Sequence, residues 1–354
     1  TMFETDRIPN GWISRLNYMD EIWVPTKFSK DIFIKEGVEE SKVIIVGEPI
    51  DTIFYASKYS LSQQELLKHD ILIQKIFENS QITSPPISKS TFLYLFVGKW
   101  EHRKGIKLLL KAFFDEFKPN NSNNHNDNSN DNFKIKNEDK QQDEKEQDVA
   151  LIVVTSAYHS TNDFYNEIMK YFFEENLIPI SILPPTSTST STESLDWKNI
   201  LPLHPLTKFL QRIVLLTDVP DQDMPTLYQL ANILVIPSRG EGWGRPHVEA
   251  MSCGTPIIAT NWSGVTAYLT QSNGYPLQIE GLVDANGWKG HKWAEPSLQH
   301  LGYLLRHTFN HRDEVLSKGI QARNDMVEKY SYEKFGIELK KEFDRIEKLL
   351  GEKE

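Results

Sequence analysis

Short, uninterrupted apolar runs recur along this chain, and several of them stop next to a proline or glycine. An apolar run of about four to eight residues is typical of a strand that is buried on both faces of a parallel sheet. We therefore predict buried strands at residues 21–25, 42–46, 92–97, 149–154, 212–216, 233–237 and 256–260. Residues 1–5 form a further candidate strand or strand end.

Helical patterns separate these strands. One helix begins at Thr26 or Ser29, whose hydroxyl groups suit an N-cap, and stops at Gly37. Another begins near Pro246 and stops at Gly254. Further helices are predicted at 106–117, from 224 onward, and near 296–310, 312–330 and 332–350. The alternation of strands and helices predicts an α/β fold with Rossmann-type parallel sheets.

The stretch 238–256 forms a glycine-rich loop and the helix after it, with Glu241 in the loop and Glu249 early in the helix. A helix N-terminus presents unpaired N–H groups that suit a diphosphate, and Gly242 and Gly244 let the backbone approach a ligand. Carboxylates accept hydrogen bonds from hydroxyl groups, such as those of a ribose and a hexose. A nucleotide sugar has a diphosphate as well as hydroxyl groups, so it needs both an anion site and hydrogen-bond acceptors. Alternatively, both carboxylates only cap the helix and compensate its dipole.

A basic loop, residues 98–105, follows the predicted strand 92–97. Parallel sheets bind ligands at the carboxyl ends of their strands, so Lys99 and Lys104 are candidates to hold a donor diphosphate. The alternative is a solvated turn without a ligand. Arg103 in the same loop is also a candidate for a structural ion pair.

Charge, apolar runs and cysteine content argue against several classes of protein. The net charge is −10, to which the low-complexity tract 119–148 contributes eight acidic and four basic residues. Without a basic excess, the sequence does not indicate a nucleic-acid partner. No apolar run approaches the roughly 20 residues of a membrane span. The single cysteine, Cys253, excludes an internal disulfide and indicates a reducing, cytoplasmic compartment.

Polar insertions interrupt the predicted elements. The tract 119–148 is too poor in apolar residues to fold, and we predict a disordered loop there. Residues 61–90 are a linker or an insertion, with a candidate helix at 63–78, and residues 184–193 are a Ser/Thr-rich insertion. Asp221 and Asp223 form a D-x-D pair, but a helix starts directly after them, so we predict an N-cap rather than a metal site.

The spacing of Glu241 and Glu249, with seven residues between them, resembles the E-x7-E signature of retaining glycosyltransferases of family 4. The likeness extends to Gly-Trp-Gly at 242–244, Pro246 and Gly-Thr-Pro at 254–256, with Trp243 where the family often has Phe. The basic loop is also similar to the family's, and residues 47–51 resemble its turn before the second domain, with Pro49 where the family often has Gly.

The resemblance implies a GT-B-like architecture, in which two Rossmann-like domains face each other across a cleft. It makes residues 1–60 the C-terminal part of an incomplete first, acceptor-side domain and 91–331 the donor-binding domain. The chain would then be a fragment, or the missing strands would come from elsewhere. The last predicted helix, 332–354, either crosses back to the first domain or packs against its own domain.

The resemblance also implies an activity: retaining transfer of a sugar from a nucleotide-sugar donor to the hydroxyl of an unknown acceptor (glycan, lipid or protein). Neither a metal nor another cofactor would be needed. Glu241 would be catalytic, stabilising positive charge at the anomeric carbon, and Glu249 would bind the ribose. Lys99 and Lys104 would bind the diphosphate of the donor, and Gly242 and Gly244 would also be donor-binding. Two alternative functions remain. One is a non-catalytic nucleotide-sugar-binding module. The other is a phosphorylase, which would need a lysine that anchors pyridoxal phosphate, and no motif in the sequence indicates one.

Deletion of residues 120–147 tests the predicted insertion. We expect the midpoint of thermal unfolding and the affinity for a nucleotide sugar to change little, because the tract has almost no apolar surface to bury. Loss of the cooperative unfolding transition in calorimetry would show instead that the tract belongs to the core.

Overall fold

The fold is known here from a computed structural model, which describes residues 3–60, 71, 90–118, 148–157, 163–177, 210 and 212–352. The predicted linker 61–90 and the predicted insertion 119–148 lie outside the described residues, apart from positions 71, 90 and 148. The Ser/Thr-rich stretch 184–193 lies wholly outside them.

Ten strands and nine α-helices lie within the described residues. The strands are β1 (Ile22–Val24), β2 (Val43–Ile45), β3 (Phe92–Val97), β4 (Val149–Thr155), β5 (Ile213–Thr217), β6 (Ile233–Ile236), β7 (Ile257–Thr260), β8 (Tyr275–Leu277), β9 (Ile279–Asp284) and β10 (Lys292–Pro296). The helices are α1 (Trp12–Asn17), α2 (Lys27–Lys35), α3 (Ile106–Phe117), α4 (Phe164–Glu174), α5 (Met224–Leu230), α6 (Arg245–Ser252), α7 (Leu298–Asn310), α8 (Arg312–Asp325) and α9 (Tyr332–Gly351).

A six-stranded parallel sheet with strand order β5-β4-β3-β6-β7-β8 carries the main core. Every residue of β4, β6 and β7 is buried, as the uninterrupted apolar runs predict for a sheet covered on both faces. The α/β class and the parallel sheet are therefore confirmed. The sequence did not predict β8, whose three residues include a proline.

A second, smaller unit precedes this sheet. Strands β1 and β2 pair in parallel and are joined through α2, whose N-cap Thr26 accepts a hydrogen bond from the backbone of Ser29. Apolar side chains of this unit form a cluster separate from the main core: Ile8, Ile22, Val24, Ile32, Phe33, Val38 and Val43. The division of the chain into two domains stays a prediction.

Two chain segments connect the small unit with the large one, and they touch. The Ile50 N–H donates to the Tyr330 carbonyl over 2.8 Å, and Ile50 forms a bridge with Ser331. Beyond this point α9 returns to the small unit, where Arg345 Nη1 lies 2.7 Å from Glu21 Oε1. Of the two alternatives for the last helix, the crossing is therefore the one observed.

One local prediction was wrong, a second differs in detail, and one pair of strands was missed. Residues 3–5 form no strand, and the chain there is held instead by contacts such as the hydrogen bond from Asp6 N to Lys292 O, 2.9 Å. The helix predicted at 312–330 is α-helical only to Asp325 and ends in a π-helical turn at Met326–Tyr330. The antiparallel hairpin β9-β10 was missed because β9 is exposed and has no buried apolar face. Within the described residues, no helix has the length and apolar character needed to cross a membrane.

Gly105 connects the basic loop to α3, and a substitution at this position tests how tightly the loop is packed. Its φ of 73° is left-handed, and an added Cβ would collide with the Pro237 carbonyl. We expect Gly105→Ala to lower the free energy of unfolding by roughly 2 kcal/mol or more, through backbone strain and this collision.

Gly336→Ala is the matched control for urea unfolding. Gly336 lies inside α9, and an added Cβ there meets nothing within 4 Å. Alanine should stabilise this exposed helix by up to about 1 kcal/mol. Equal effects of the two substitutions would contradict the close approach of the loop to Pro237.

Candidate functional site

The basic loop and the glycine-rich loop meet at one edge of the large sheet. They follow β3 and β6, which are neighbours, so their carboxyl ends lie side by side. The Arg239 N–H donates to the Arg103 carbonyl over 2.7 Å, which joins the two loops directly. The loop after β7 closes the group, since Gly264 N donates to the Glu241 carbonyl over 2.9 Å.

Glu241 lies at the centre of this group. Its side chain is only 5% exposed, and Lys104 Nζ lies 2.7 Å and 2.9 Å from its two carboxylate oxygens. Arg103 Nη1 lies 3.2 Å from Oε2. Burial by itself would raise the pKa of Glu241, but the charges of Lys104 and Arg103 outweigh it and lower the pKa to about 2. The carboxylate is therefore ionised although it is buried.

Arg103 forms structural ion pairs, as the sequence analysis considered for this residue. It contacts three carboxylates, with nitrogen–oxygen distances of 2.8 Å to Glu101, 3.2 Å to Glu241 and 3.4 Å to Glu4. Glu4 was not a predicted site residue. It reaches the site because Gly240 leaves room for the backbone of the N-terminal segment, where any Cβ would collide with the Glu4 carbonyl.

Arg239 fixes the glycine-rich loop from the other side. Its buried guanidinium donates two hydrogen bonds to Glu295 on β10, with distances of 2.7 Å and 2.5 Å, and a third to the His102 carbonyl at 2.7 Å. The sequence reasoning missed this ion pair. An Arg and a Glu 56 positions apart carry no local signal of contact.

Glu249 lies on α6 and faces different partners. Tyr228 donates its hydroxyl to Glu249 Oε2 over 2.8 Å, and Arg245 Nε lies 3.6 Å from Oε1. Burial, together with the neighbouring Glu249 carboxylate, raises the pKa of Tyr228 well above its usual value. Among the described contacts, Glu241 and Glu249 share no hydrogen-bonding partner. The structure thus gives the two carboxylates separate surroundings.

The start of α6 is shaped by Gly244. Its φ is 93°, and an added Cβ would lie 2.6 Å from His247 Nδ1 and 2.8 Å from the Tyr268 hydroxyl. Burial, more than any neighbouring charge, lowers the pKa of His247 to about 4, so the ring is neutral at pH 7. Its Nε2 has no hydrogen-bond partner within the described part of the chain. Gly242 also approaches other backbone closely, because its carbonyl leaves no room for a Cβ at Gly264.

The other candidates occupy less central positions. Lys99 is exposed, and the described ion pairs of Glu241 involve Lys104 and Arg103 instead. Cys253 is fully buried, in keeping with a packing role. Asp223 occupies the N-cap position of α5, but its side chain makes no capping hydrogen bond, which corrects that part of the prediction. In the described ranges no cluster of three or more His, Cys, Asp or Glu is arranged to hold a metal.

The sequence of residues 208–283, which includes both carboxylates, matches the family described as "Glycosyl transferases group 1". This segment of the chain is therefore similar to a glycosyltransferase group 1 domain. A mannosyltransferase of Escherichia coli, O-antigen chain mannosyltransferase B, is 54% identical over 43 residues, which are 12% of this chain and 11% of that protein. The D-inositol 3-phosphate glycosyltransferase of Mycobacterium tuberculosis is 27% identical over 110 residues, 30% of this chain and 20% of that protein.

Solved structures identify the fold as GT-B. The crystal structure of Anabaena HepE in complex with UDP and glucose superposes with a TM-score of 0.61 at 14% sequence identity. The superposition covers 94% of this chain and 66% of HepE. Residues 208–283 therefore lie in a GT-B fold. The chain spans 66% of the HepE chain and a much smaller part of the curated relatives, 11% and 20% of the two named above.

The buried ion pair predicts a specific dependence of stability on pH. The pKa of Glu241 is about 2 in the folded chain, below the ordinary value of 4.5, so its ion pairs stabilise the fold above about pH 4.5. This contribution is lost as pH falls through the folded-state pKa. We expect the free energy of urea unfolding to fall more between pH 4.5 and 2 for the unmodified chain than for Glu241→Gln.

Asp344→Asn is the control for this measurement. Asp344 forms an exposed ion pair with Lys340 on α9, and exposed pairs contribute little to stability. This variant should keep the pH dependence of the unmodified chain. The same curve for Glu241→Gln as for the unmodified chain would contradict the depressed pKa.

Proposed function

We propose that this protein transfers a sugar from a nucleotide-sugar donor to an acceptor hydroxyl, with retention of configuration. The observation that carries the proposal is the buried, ionised carboxylate of Glu241 beside Lys104 and Arg103, at the carboxyl ends of β3 and β6. Open parallel sheets bind their ligands at this edge. The group 1 family match over 208–283 and the HepE complex with UDP and glucose support a nucleotide sugar as the donor.

Glu241 supplies negative charge where the donor sugar becomes positively charged. Cleavage of the bond to the diphosphate leaves positive charge at the anomeric carbon, and a fixed anion in a site of low polarity stabilises it strongly. The backbone N–H of Glu241 donates to Ser263 Oγ over 2.9 Å, and its carboxylate is held by two cations. The carboxylate is therefore oriented before a sugar arrives, which is the condition for electrostatic catalysis.

Lys104 binds the Glu241 carboxylate and can also donate a hydrogen bond to the leaving diphosphate. Its ammonium group has three N–H donors, and its contacts with the two Glu241 oxygens occupy at most two of them. Lys99 lies on the same loop and is exposed to an arriving ligand. The leaving diphosphate is neutralised by Lys104, by Lys99 and by the N-terminus of α6, whose N-cap residue is Gly244.

Glu249 binds the donor equally before and during the reaction. Tyr228 donates to its Oε2 over 2.8 Å, the Tyr55 hydroxyl also hydrogen-bonds to this carboxylate, and Arg245 Nε lies 3.6 Å from Oε1. An ionised carboxylate has about four acceptor sites, so Glu249 can accept a further hydrogen bond from a ribose hydroxyl. Because a ribose does not change charge in the reaction, this contact stabilises bound donor and transition state alike.

Glu241→Gln and Glu249→Gln distinguish these roles. We expect Glu241→Gln to lower turnover by on the order of 100-fold or more with little change in donor affinity, because it removes charge needed only in the transition state. Glu249→Gln should instead weaken donor binding about tenfold, in the range for a hydrogen bond to a charged group. A panel of nucleotide sugars, titrated by calorimetry, identifies the donor, and mass-resolved products and their anomeric configuration report transfer and retention.

Glu347→Gln provides the same chemical change at an exposed position on α9 and should leave both quantities unchanged. Full turnover in Glu241→Gln would sink the catalytic assignment. Donor binding without transfer to any acceptor, in the chain and in longer forms of the protein, would favour the non-catalytic binding module.

A further inference from the structure

Residues 51–60, called here the docked segment, follow the small unit in the chain but pack against the large unit. The Lys58 N–H donates to the Cys253 carbonyl over 3.0 Å, just past the end of α6. The Tyr59 hydroxyl donates to the carbonyl of the next residue, Gly254, over 2.9 Å. The docked segment is therefore attached to α6, the helix that carries Glu249.

Arg323 of α8 anchors the backbone of the docked segment near its middle. Its Nη1 lies within 3.0 Å of three carbonyl oxygens, those of Thr52, Tyr55 and Ser252. The first two belong to the docked segment and the third is the last residue of α6. The Tyr55 N–H also donates to the Asp51 carbonyl over 2.9 Å. The backbone of Tyr55 is thus held in a fixed position relative to α6.

From this anchored backbone the side chain of Tyr55 reaches Glu249. Its hydroxyl hydrogen-bonds to the Glu249 carboxylate, to which Tyr228 of α5 donates over 2.8 Å. The two tyrosine rings also pack against each other, with centroids 6.1 Å apart and an angle of 60° between their planes. Burial, together with the charge of Glu249, raises the pKa of both hydroxyls. Both are therefore protonated at neutral pH and act as donors to the carboxylate.

These two hydroxyls fix the direction in which the Glu249 carboxylate faces. A glutamate side chain loses much rotational freedom when it is held in one position. If it is oriented before a ligand arrives, that loss does not oppose binding, and the affinity is higher. The two tyrosines use two of about four acceptor sites of the carboxylate, and the side chain is 13% exposed. Acceptor capacity therefore remains for a ligand.

Tyr59 offers a comparison within the same segment. It is also a tyrosine that donates its hydroxyl to the large unit, but its acceptor is the backbone carbonyl of Gly254. Loss of either hydroxyl removes one contact that docks the segment. Among the described contacts, the hydroxyl of Tyr55 acts on Glu249 and that of Tyr59 does not. A purely structural role for Tyr55 would make the two positions equivalent.

We propose that Tyr55 is a positioning residue of the donor site, whose hydroxyl orients the Glu249 carboxylate toward the ribose hydroxyls of the donor. The inference rests on the ribose contact of Glu249 in the proposed function. The docked segment then contributes to donor recognition, although it precedes the large sheet in the chain. Its effect passes through Glu249 and not through contact with the reacting atoms.

Tyr55→Phe tests this role because it removes the hydroxyl and keeps the ring. UDP, GDP, ADP and CDP are titrated into the unmodified whole chain by calorimetry, and the tightest of them is compared with its 2′,3′-dideoxy form. We expect Tyr55→Phe to weaken the ribonucleotide about fivefold, in the range for one hydrogen bond, and the dideoxy form far less. Tyr59→Phe, the matched control, should leave both affinities unchanged.

A double variant shows whether the hydroxyl acts through Glu249. Tyr55→Phe should add little to the loss of affinity that Glu249→Gln causes alone, because residues in one hydrogen-bond network are not additive. In a transfer assay, Tyr55→Phe should raise the donor KM and leave kcat unchanged, since the ribose contact is the same in the bound donor and in the transition state.

Several outcomes would overturn the proposal and leave the proposed function standing. One is an equal loss of affinity for the ribonucleotide and its dideoxy form, and another is an equal loss in Tyr55→Phe and Tyr59→Phe. Tighter binding by Tyr55→Phe would show that the hydroxyl competes with the ribose. Additive losses in the double variant would contradict an action through Glu249. If none of the four nucleotides binds, the donor site of the proposed function fails, and this inference fails with it.

Discussion

The ion pair between Glu241 and its two cations, Lys104 and Arg103, is the contact on which the candidate site depends. It joins two loops whose contacting residues lie 137 positions apart along the chain. A buried carboxylate without a partner is strongly destabilising, so neither loop keeps its arrangement when the other moves away. The backbone contact from Arg239 to Arg103 and the tight packing at Gly105 hold the same junction. Fold and site are therefore stabilised by the same group of residues.

The strand order brings these loops together. β3 lies between β4 and β6, so the chain leaves β3, forms β4 and β5 on one side, and returns to place β6 on the other. Where the order reverses in this way, loops at the carboxyl ends diverge and leave a crevice. Glu241 and the basic loop lie at this crevice. Because only the positions of the strands matter, long polar insertions between them are compatible with the same arrangement.

Trp243 connects this junction to the boundary between the small and large units. Its ring packs against Tyr330 and Tyr268, and it also lines a cavity of about 350 Å³ between the small and large units. Ile50 and Tyr330, joined by a backbone hydrogen bond, belong to the two segments that connect the units. A change in the angle between the units would therefore act directly on the loop of Glu241.

The sequence by itself determined what depends on neighbouring residues. Buried strands such as β4 and β6 were predicted because both faces are apolar, and α2 and α6 because their caps and stops are local signals. The E-x7-E spacing indicated the candidate carboxylates and the family before any contact was known. The start of the chain was mispredicted as a strand, since a pentapeptide with two apolar residues does not reveal what it packs against.

Only the tertiary structure decided which distant groups meet. Glu4 and Glu295 lie far along the chain from Arg103 and Arg239, and no periodicity or cap indicates that they pair. The same holds for this cavity, whose walls come from the turns after β1 and β2, the glycine-rich loop and α9. Local patterns report which face of an element is buried. Which elements share that buried space depends on strand order and helix packing, and these are set by the whole chain at once.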